Sequence, residues 1–299
     1  MIRLRRSDLA AFSFPLFLLA VSIPGSRVSS GWLPSVLLWL SCITGGALCI
    51  YLGQGHDRGW RAYAAAFWPI PCIFLVYLSL NPFIDLVQPH LLDPYLIMAE
   101  AWLLGGHLSV WAERWLPPVL VDCLMLAYAS YYFWPIALCA RLFGRRDEAA
   151  FSHVAVTVIL AFWFNYVFYA LVPAIGPRFT LAPEFQGPVE GWLIGHYLYR
   201  SYLFSPVLRD CFPSGHTAVT LLVLYRAWRY DRRFFAVMLV PGCLLIAATV
   251  LLRFHYLIDI FFALPFALAV GAFTTWLCRV TPLAWTWRLP LPSARTGPA

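Results

Sequence analysis

The chain has 299 residues, of which 62% are hydrophobic, 17% aromatic and only 12% charged, with a mean hydropathy of +0.73. Soluble domains carry about 25% charged residues, so the composition excludes a soluble globular protein and indicates an integral membrane protein. The net charge of +7 comes entirely from arginine, and the arginines sit between apolar runs in alternate loops, which is a topology signal rather than a nucleic-acid surface.

Arg3, Arg5 and Arg6 precede a first apolar stretch from Leu9 to Ile23. It reads either as a signal peptide or as a retained anchor, and both readings leave the basic end in the cytoplasm. Further apolar runs follow at 32–53, 62–81, 118–140, 150–172, 214–230, 234–252 and 256–278. Crossing ~30 Å of hydrocarbon takes roughly 20 helical residues. None of the runs alternates like a barrel strand, so all are expected to be helices. The expected fold is therefore an all-α integral membrane protein with about eight transmembrane helices.

Arg58 and Arg61, then Arg141, Arg145 and Arg146, then Arg226, Arg229, Arg232 and Arg233 mark every second loop. Arg279, Arg288 and Arg295 place the C-terminal tail in the same set. The other loops hold only Arg27, Arg114, Arg178, Arg200, Arg209 and Arg253, which predicts cytoplasmic termini and an outward position for the alternate loops. Two outer loops are long. Residues 82–117 mix Asp85, Asp93, Glu100 and Glu113 with Trp102 and Trp111, which suits an interfacial helix or a packed lid. Residues 173–213 are rich in Pro and Gly. The tail beyond Thr281 is basic and Pro-rich, and is expected to be disordered.

Two short stretches carry chemistry. In Arg253-Phe254-His255-Tyr256-Leu257-Ile258-Asp259 a carboxylate follows a histidine by four residues, so the two share a helix face. Such a carboxylate accepts the Nδ1 proton and leaves the Nε2 lone pair free for a base or a nucleophile. In Cys211-Phe212-Pro213-Ser214-Gly215-His216-Thr217 a helix begins at Ser-Gly, where unsatisfied N–H groups and the helix dipole favour an anion. A third stretch, ending in Gly176-Pro177-Arg178, offers a planar cation for phosphate oxygens. Asp122 and Asn165 read as interhelical partners or as lining of a lipid entrance. His153 and His196 read as structural. Cys42, Cys49, Cys72, Cys123, Cys243 and Cys278 lie in apolar runs without metal-ligand spacing.

These three stretches, taken in chain order, resemble the signatures of the type 2 phosphatidic acid phosphatase superfamily. The resemblance covers about residues 60–280. It implies two extra N-terminal helices in residues 1–60 and a six-helix core in 61–280 made of spans three to eight, which leaves 281–299 as the tail that the arginines place in the cytoplasm. It also implies that His255 is a nucleophile forming a phosphohistidine, oriented by Asp259. His216 would protonate the leaving oxygen, while Arg178, Ser214, Gly215 and Arg253 would hold the phosphoryl oxygens. No metal and no other cofactor is implied. The chain departs from the hydrolase pattern in lacking its lysine and in having Thr249 where an arginine precedes the histidine by six residues. Gly-Pro-Arg and His-Tyr-x-x-Asp are similar to the branch of inositol phosphorylceramide and sphingomyelin synthases, although Phe254 stands where that branch carries a second histidine.

The expected function is hydrolysis of a lipid phosphate or pyrophosphate at the outer face of the bilayer. Transfer of a phosphoryl head group to an alcohol or ceramide-type acceptor is the second reading. A non-catalytic binder or transporter of anionic lipid is the third.

Overall fold

The computed structural model describes residues 2–25, 32–203 and 207–287. Arg27, Arg288, Arg295 and most of the tail lie outside them. The chain opens with β1 (Ile2–Arg5), α1 (Arg6–Gly25), α2 (Trp32–Gly53), α3 (Gly59–Phe67) and α4 (Pro69–Leu78). The first long loop holds α5 (Asn81–Val87), α6 (Asp93–Leu104) and α7 (Leu108–Ala112). Next come α8 (Pro118–Ala129), α9 (Phe133–Gly144) and α10 (Glu148–Leu171), and the second long loop holds α11 (Pro177–Thr180) and α12 (Gly195–Leu203). The chain closes with α13 (Gly215–Tyr230), α14 (Arg232–Leu251), α15 (Leu257–Val280) and β2 (Ala284–Trp287).

The protein is an all-α membrane protein. Seven helical segments are long and apolar enough to cross a bilayer, including α3 with α4 and α8 with α9 taken as single spans. The first pair is broken at Trp68-Pro69, where proline removes a donor from the helix ladder, and the second at a 3₁₀ turn over Ser130–Tyr132. The one expected span not among these seven, the sixth at 214–230, corresponds to α13, which has 16 residues, ~24 Å of helix against ~30 Å of hydrocarbon. Its ends are fixed by two caps. Ser214 Oγ accepts from the Thr217 N–H, and Asp231 Oδ1 accepts from Phe234 N–H to start α14 at once.

The middle of the bundle is α10, which packs on α1, α9, α13 and α15. Apolar burial drives helix association little in lipid, so close packing and interhelical hydrogen bonds carry more of the load. Trp163 donates to the Ala10 carbonyl at 2.7 Å, tying α1 to α10. Arg226, grouped by sequence with the cytoplasmic loop charges, is instead 2% exposed inside the bundle. It donates to Thr157 Oγ1, Thr274 Oγ1 and the Gly271 carbonyl, cross-linking α10, α13 and α15.

β1 and β2 pair antiparallel, so residues 284–287 form a strand where disorder was expected. The pairing brings both ends of the described chain together, and Arg3 reaches Glu148 at 2.6 Å beside the 141–149 loop. These segments occupy one end of the bundle, and the three chemical stretches the other. That agrees with the sorting of loops by their arginines.

Candidate active site

Three loops converge at the end of the bundle away from β1 and β2. They are the Val172–Arg178 stretch after α10, the turn into α13, and the turn between α14 and α15. Arg178 N–H bonds the Arg253 carbonyl, and Cys211 N–H bonds the Ala174 carbonyl, stitching the loops pairwise. Gly176 has φ +86, and a side chain there would strike the Phe254 carbonyl, so glycine is required where the first loop crosses the third.

His255 is buried and held through Nδ1. The Cys211 carbonyl oxygen lies at 2.7 Å and Asp259 Oδ2 at 3.3 Å. A carbonyl can only accept, so Nδ1 carries the hydrogen and Nε2 keeps its lone pair. The sequence assigned this role to Asp259 alone, whereas the shorter bond goes to a backbone atom with no sequence signature. Asp259 Oδ2 also accepts from the Tyr256 N–H at 2.9 Å and from Cys211 Sγ at 3.0 Å. Burial and the neighbouring Asp259 carboxylate push the Cys211 thiol well up, so it stays protonated and donates. Cys211, His255 and Asp259 offer donor atoms within 4.8 Å of one another. With Nδ1 donating to a carbonyl, the contacts among them form a hydrogen-bonded shell around His255.

His216 is held by rings instead. It stacks on Tyr128 at 4.3 Å and packs against Tyr131 at 4.1 Å, and its Nε2 has no hydrogen-bond partner. The His216 and His255 ring centroids are 6.0 Å apart. Both histidines line a cavity of about 380 Å³ together with Arg178, Phe254, Tyr128 and Asp210. The Arg178 guanidinium lies over Phe254 and Phe179, and its Nε is unpartnered.

The other predicted phosphate ligands sit differently. Ser214 is fully buried, and its hydroxyl is spent on α13, accepting from the Thr217 N–H and donating to Thr217 Oγ1 at 3.0 Å. Gly215 is required because Asn165 and Tyr169 press on it, so a Cβ would meet the Asn165 amide oxygen. Asn165 also donates to the Pro213 carbonyl, tying α10 to the turn that leads into α13. Arg253 does not line the cavity. It pairs with Glu113 at 3.0 Å, donates to the Gly187 carbonyl at 2.8 Å and stacks on Phe185. Its backbone sits at φ +65, a costly conformation for arginine that turns the chain from α14 into the loop that carries His255. Arg209 pairs with Asp85 at 2.6 Å. Asp122 accepts from the Leu193 and Gly195 N–H groups and so anchors α12.

Sequence reading missed the carboxylates that clamp this assembly. Asp93 accepts from the Ile175 and Gly176 N–H groups and from the Tyr256 hydroxyl at 2.8 Å, joining the first loop to the third. Glu100 accepts from the Leu257 N–H at 3.0 Å. Glu113 accepts from the Gln186 and Gly187 N–H groups. Partial burial opposes ionisation of Glu113, but these N–H groups and Arg253 outweigh it and hold the carboxyl below its usual range. The face of α6 bearing Asp93 and Glu100 is buried, while Tyr95, Met98 and Trp102 point outward. The helix is thus both packed and apolar on its outside. A sequence signal existed: acids at spacing i, i+7 on an otherwise apolar helix.

The sequence pattern of the PAP2 superfamily matches residues 94–288. The match begins within α6, so it starts later than the expected 60 and leaves α3 and α4 outside. No curated protein and no solved structure matches the chain.

Proposed function

The chain belongs to the PAP2 superfamily, whose activities are of the lipid phosphatase and phosphotransferase type, and from that premise we propose that it hydrolyses a lipid phosphate or pyrophosphate through a phosphohistidine on His255. The observation that carries the reading is the pair of imidazoles facing one cavity, one with a fixed tautomer and one with a free nitrogen, beside the Arg178 cation.

The His255 Nε2 lone pair attacks phosphorus, and the bond from phosphorus to the lipid oxygen breaks. The leaving oxygen takes a proton from His216. Water then gives its proton to His216 and attacks phosphorus, the P–N bond breaks, and phosphate leaves. Arg178 holds the phosphoryl oxygens throughout, and the positive end of α13 adds to the field. Arg253 and Ser214 serve in this reading as scaffold. The reaction needs no metal, and the site faces the periplasm or exterior. The lipid substrate reaches it from the bilayer.

Transfer to an alcohol acceptor is the second reading, favoured by Gly176-Pro177-Arg178 and by His255-Tyr256 with Asp259, which resemble the inositol phosphorylceramide and sphingomyelin synthase branch. A silent lipid binder gains nothing from two imidazoles 6.0 Å apart. The deciding experiment offers purified protein a lipid phosphate with and without an alcohol acceptor. Free phosphate in both mixtures is expected. A new lipid formed only with acceptor, and no free phosphate without it, makes the protein a transferase.

A further inference from the structure

Three arginines are buried among the described residues: Arg6, Arg226 and Arg253. Arg253 has Glu113 beside it. Arg6 and Arg226 have no carboxylate partner among the described residues, and both lie at the end of the bundle away from the histidines. Four acids of that end are engaged elsewhere. Glu148 pairs with Arg3, Asp231 with Arg141 and Arg145, Asp147 caps α10, and Asp8 accepts from Trp68 and the Arg5 N–H.

Arg226 is the more exacting case. Its Nε and Nη2 are spent on Thr157, Gly271, Thr274 and Thr275, all neutral, and its Nη1 has no hydrogen-bond partner among the described residues. Hydroxyls and a carbonyl solvate a guanidinium but leave its charge uncancelled, and a buried cation without a counter-ion is costly. Arginines inside membrane bundles are rare and meet an anion, a carbonyl or water.

The surroundings add positive charge. Arg226, Arg229 and Tyr230 share one face at the end of α13, being three and four residues apart, and Thr275, Cys278 and Arg279 repeat that spacing on α15. The two helices pack together. Arg6, Arg226 and Arg279 all act on the His153 ring, and Arg229 acts on Arg226. His153 and Tyr230 bond each other at 2.6 Å. Arg229 and Arg279 are exposed, so the junction is closed at Arg226 and open at its rim. Exposed Tyr225, Trp228 and Trp276 flank it, aromatic residues of the kind that mark the boundary between hydrocarbon and head groups.

We propose that the junction of α13 and α15 binds the phosphate of an anionic phospholipid from the leaflet at the arginine-rich end. Arg226 Nη1 donates to a phosphate oxygen, and Arg229 and Arg279 hold the rest of the negative head group. The lipid supplies the counter-ion that the chain itself lacks. Its acyl chains stay in the bilayer beside the aromatic residues of the rim. The site lies at the opposite end of the bundle from His216 and His255 and does not rest on reading their cavity as a phosphoryl site.

Thermal melting and native mass spectrometry of the full chain, purified in detergent and stripped of lipid, test this with three additions. They are dioleoyl phosphatidylglycerol, dioleoyl phosphatidylcholine, whose phosphate is cancelled by its own ammonium, and inorganic phosphate. Wild type is expected to retain phosphatidylglycerol over phosphatidylcholine and to melt higher with it. One basic side chain beside an anionic lipid surface is worth about fivefold in binding. Arg229→Gln and Arg279→Gln should therefore each cut the preference about fivefold, with the melting temperature of the lipid-free protein unchanged. Arg226→Gln should abolish both the preference and the rise in melting temperature, whereas Arg178→Ala, in the histidine cavity, should keep both. Equal retention of the two lipids by wild type overturns the proposal. A preference that survives Arg229→Gln and Arg279→Gln combined does the same, even where Arg226→Gln does not fold. A preference lost on Arg178→Ala and kept by the rim variants moves the lipid to the histidine cavity and overturns the site. A rise with inorganic phosphate as large as that with phosphatidylglycerol makes it a site for a free anion and overturns the lipid.

Discussion

The two histidines of the cavity are fixed by opposite means. His255 is pinned by polar atoms, the Cys211 carbonyl and the Asp259 carboxylate, all bonded to one ring nitrogen. His216 is pinned by faces, between Tyr128 and Tyr131, with its Nε2 unbonded. Hydrogen bonds select a tautomer, whereas stacking fixes a plane and leaves protonation free to change. A nucleophile needs the first and a proton shuttle needs the second. In the proposed mechanism this difference fits His255 to the nucleophile and His216 to the shuttle, roles that spacing in the sequence alone left to resemblance.

The strongest way to break this contrast is to remove each ring. His255→Ala is expected to abolish turnover and any covalent adduct. His216→Ala is expected to be slow with ordinary lipid phosphates, since general acid–base help is worth roughly 10²–10⁴ in rate. With a good leaving group it needs little acid assistance, and labelled phosphate should accumulate on the protein in an acid-labile, base-stable bond. A phosphoenzyme on His255→Ala would reverse the assignment.

Asp259→Asn sharpens the same contrast with a smaller effect. If the carboxylate chose the tautomer, an amide at 259 would cost about as much as losing the imidazole. Since the Cys211 carbonyl at 2.7 Å already does so, the variant should keep its fold and its KM. What it loses is a negative charge beside a ring that turns cationic when phosphorylated. Charge-assisted bonds of this kind are worth roughly 1.5–3 kcal/mol, so kcat should fall by about one to two decades. Steady-state kinetics separates the outcomes, and a loss as deep as that of His255→Ala would return the tautomer to Asp259.

What the sequence disclosed follows from the range of the interactions. Apolar runs mark spans because each helix satisfies its own backbone, and arginines sort loops without reference to tertiary contacts. His255 and Asp259 were legible because they lie four apart on one helix. The clamp of Asp93, Glu100 and Glu113 was not, because its partners are distant in the chain: Asp93 meets Tyr256 across 163 residues. The pairing of Arg253 with Glu113 was hidden for the same reason, as its position beside the histidine said nothing of Glu113. The Cys211 carbonyl was beyond reach of any residue pattern, since every residue has one.

The mildest test concerns the stack itself. Tyr128 lies between His216, at 4.3 Å and 17°, and Phe254, at 4.2 Å and 12°, so one ring orders His216 and leans on the loop that carries His255. Aromatic pairs of this kind contribute roughly 0.5–1.5 kcal/mol beyond their buried area. Tyr128→Leu should leave His255 bonded to Cys211 and loosen the plane of His216. The step that depends on His216 should then slow by about two- to tenfold, which corresponds to one such pair. Adduct formation from a substrate with a good leaving group should be unchanged, because it needs no proton from His216. Tyr128→Phe, which keeps the ring, should behave as wild type. Comparing the two substrates in single-turnover experiments reads this directly. Equal slowing of both would mean that Tyr128 acts on the His255 loop through Phe254, and that stacking does not set the shuttle apart from the nucleophile.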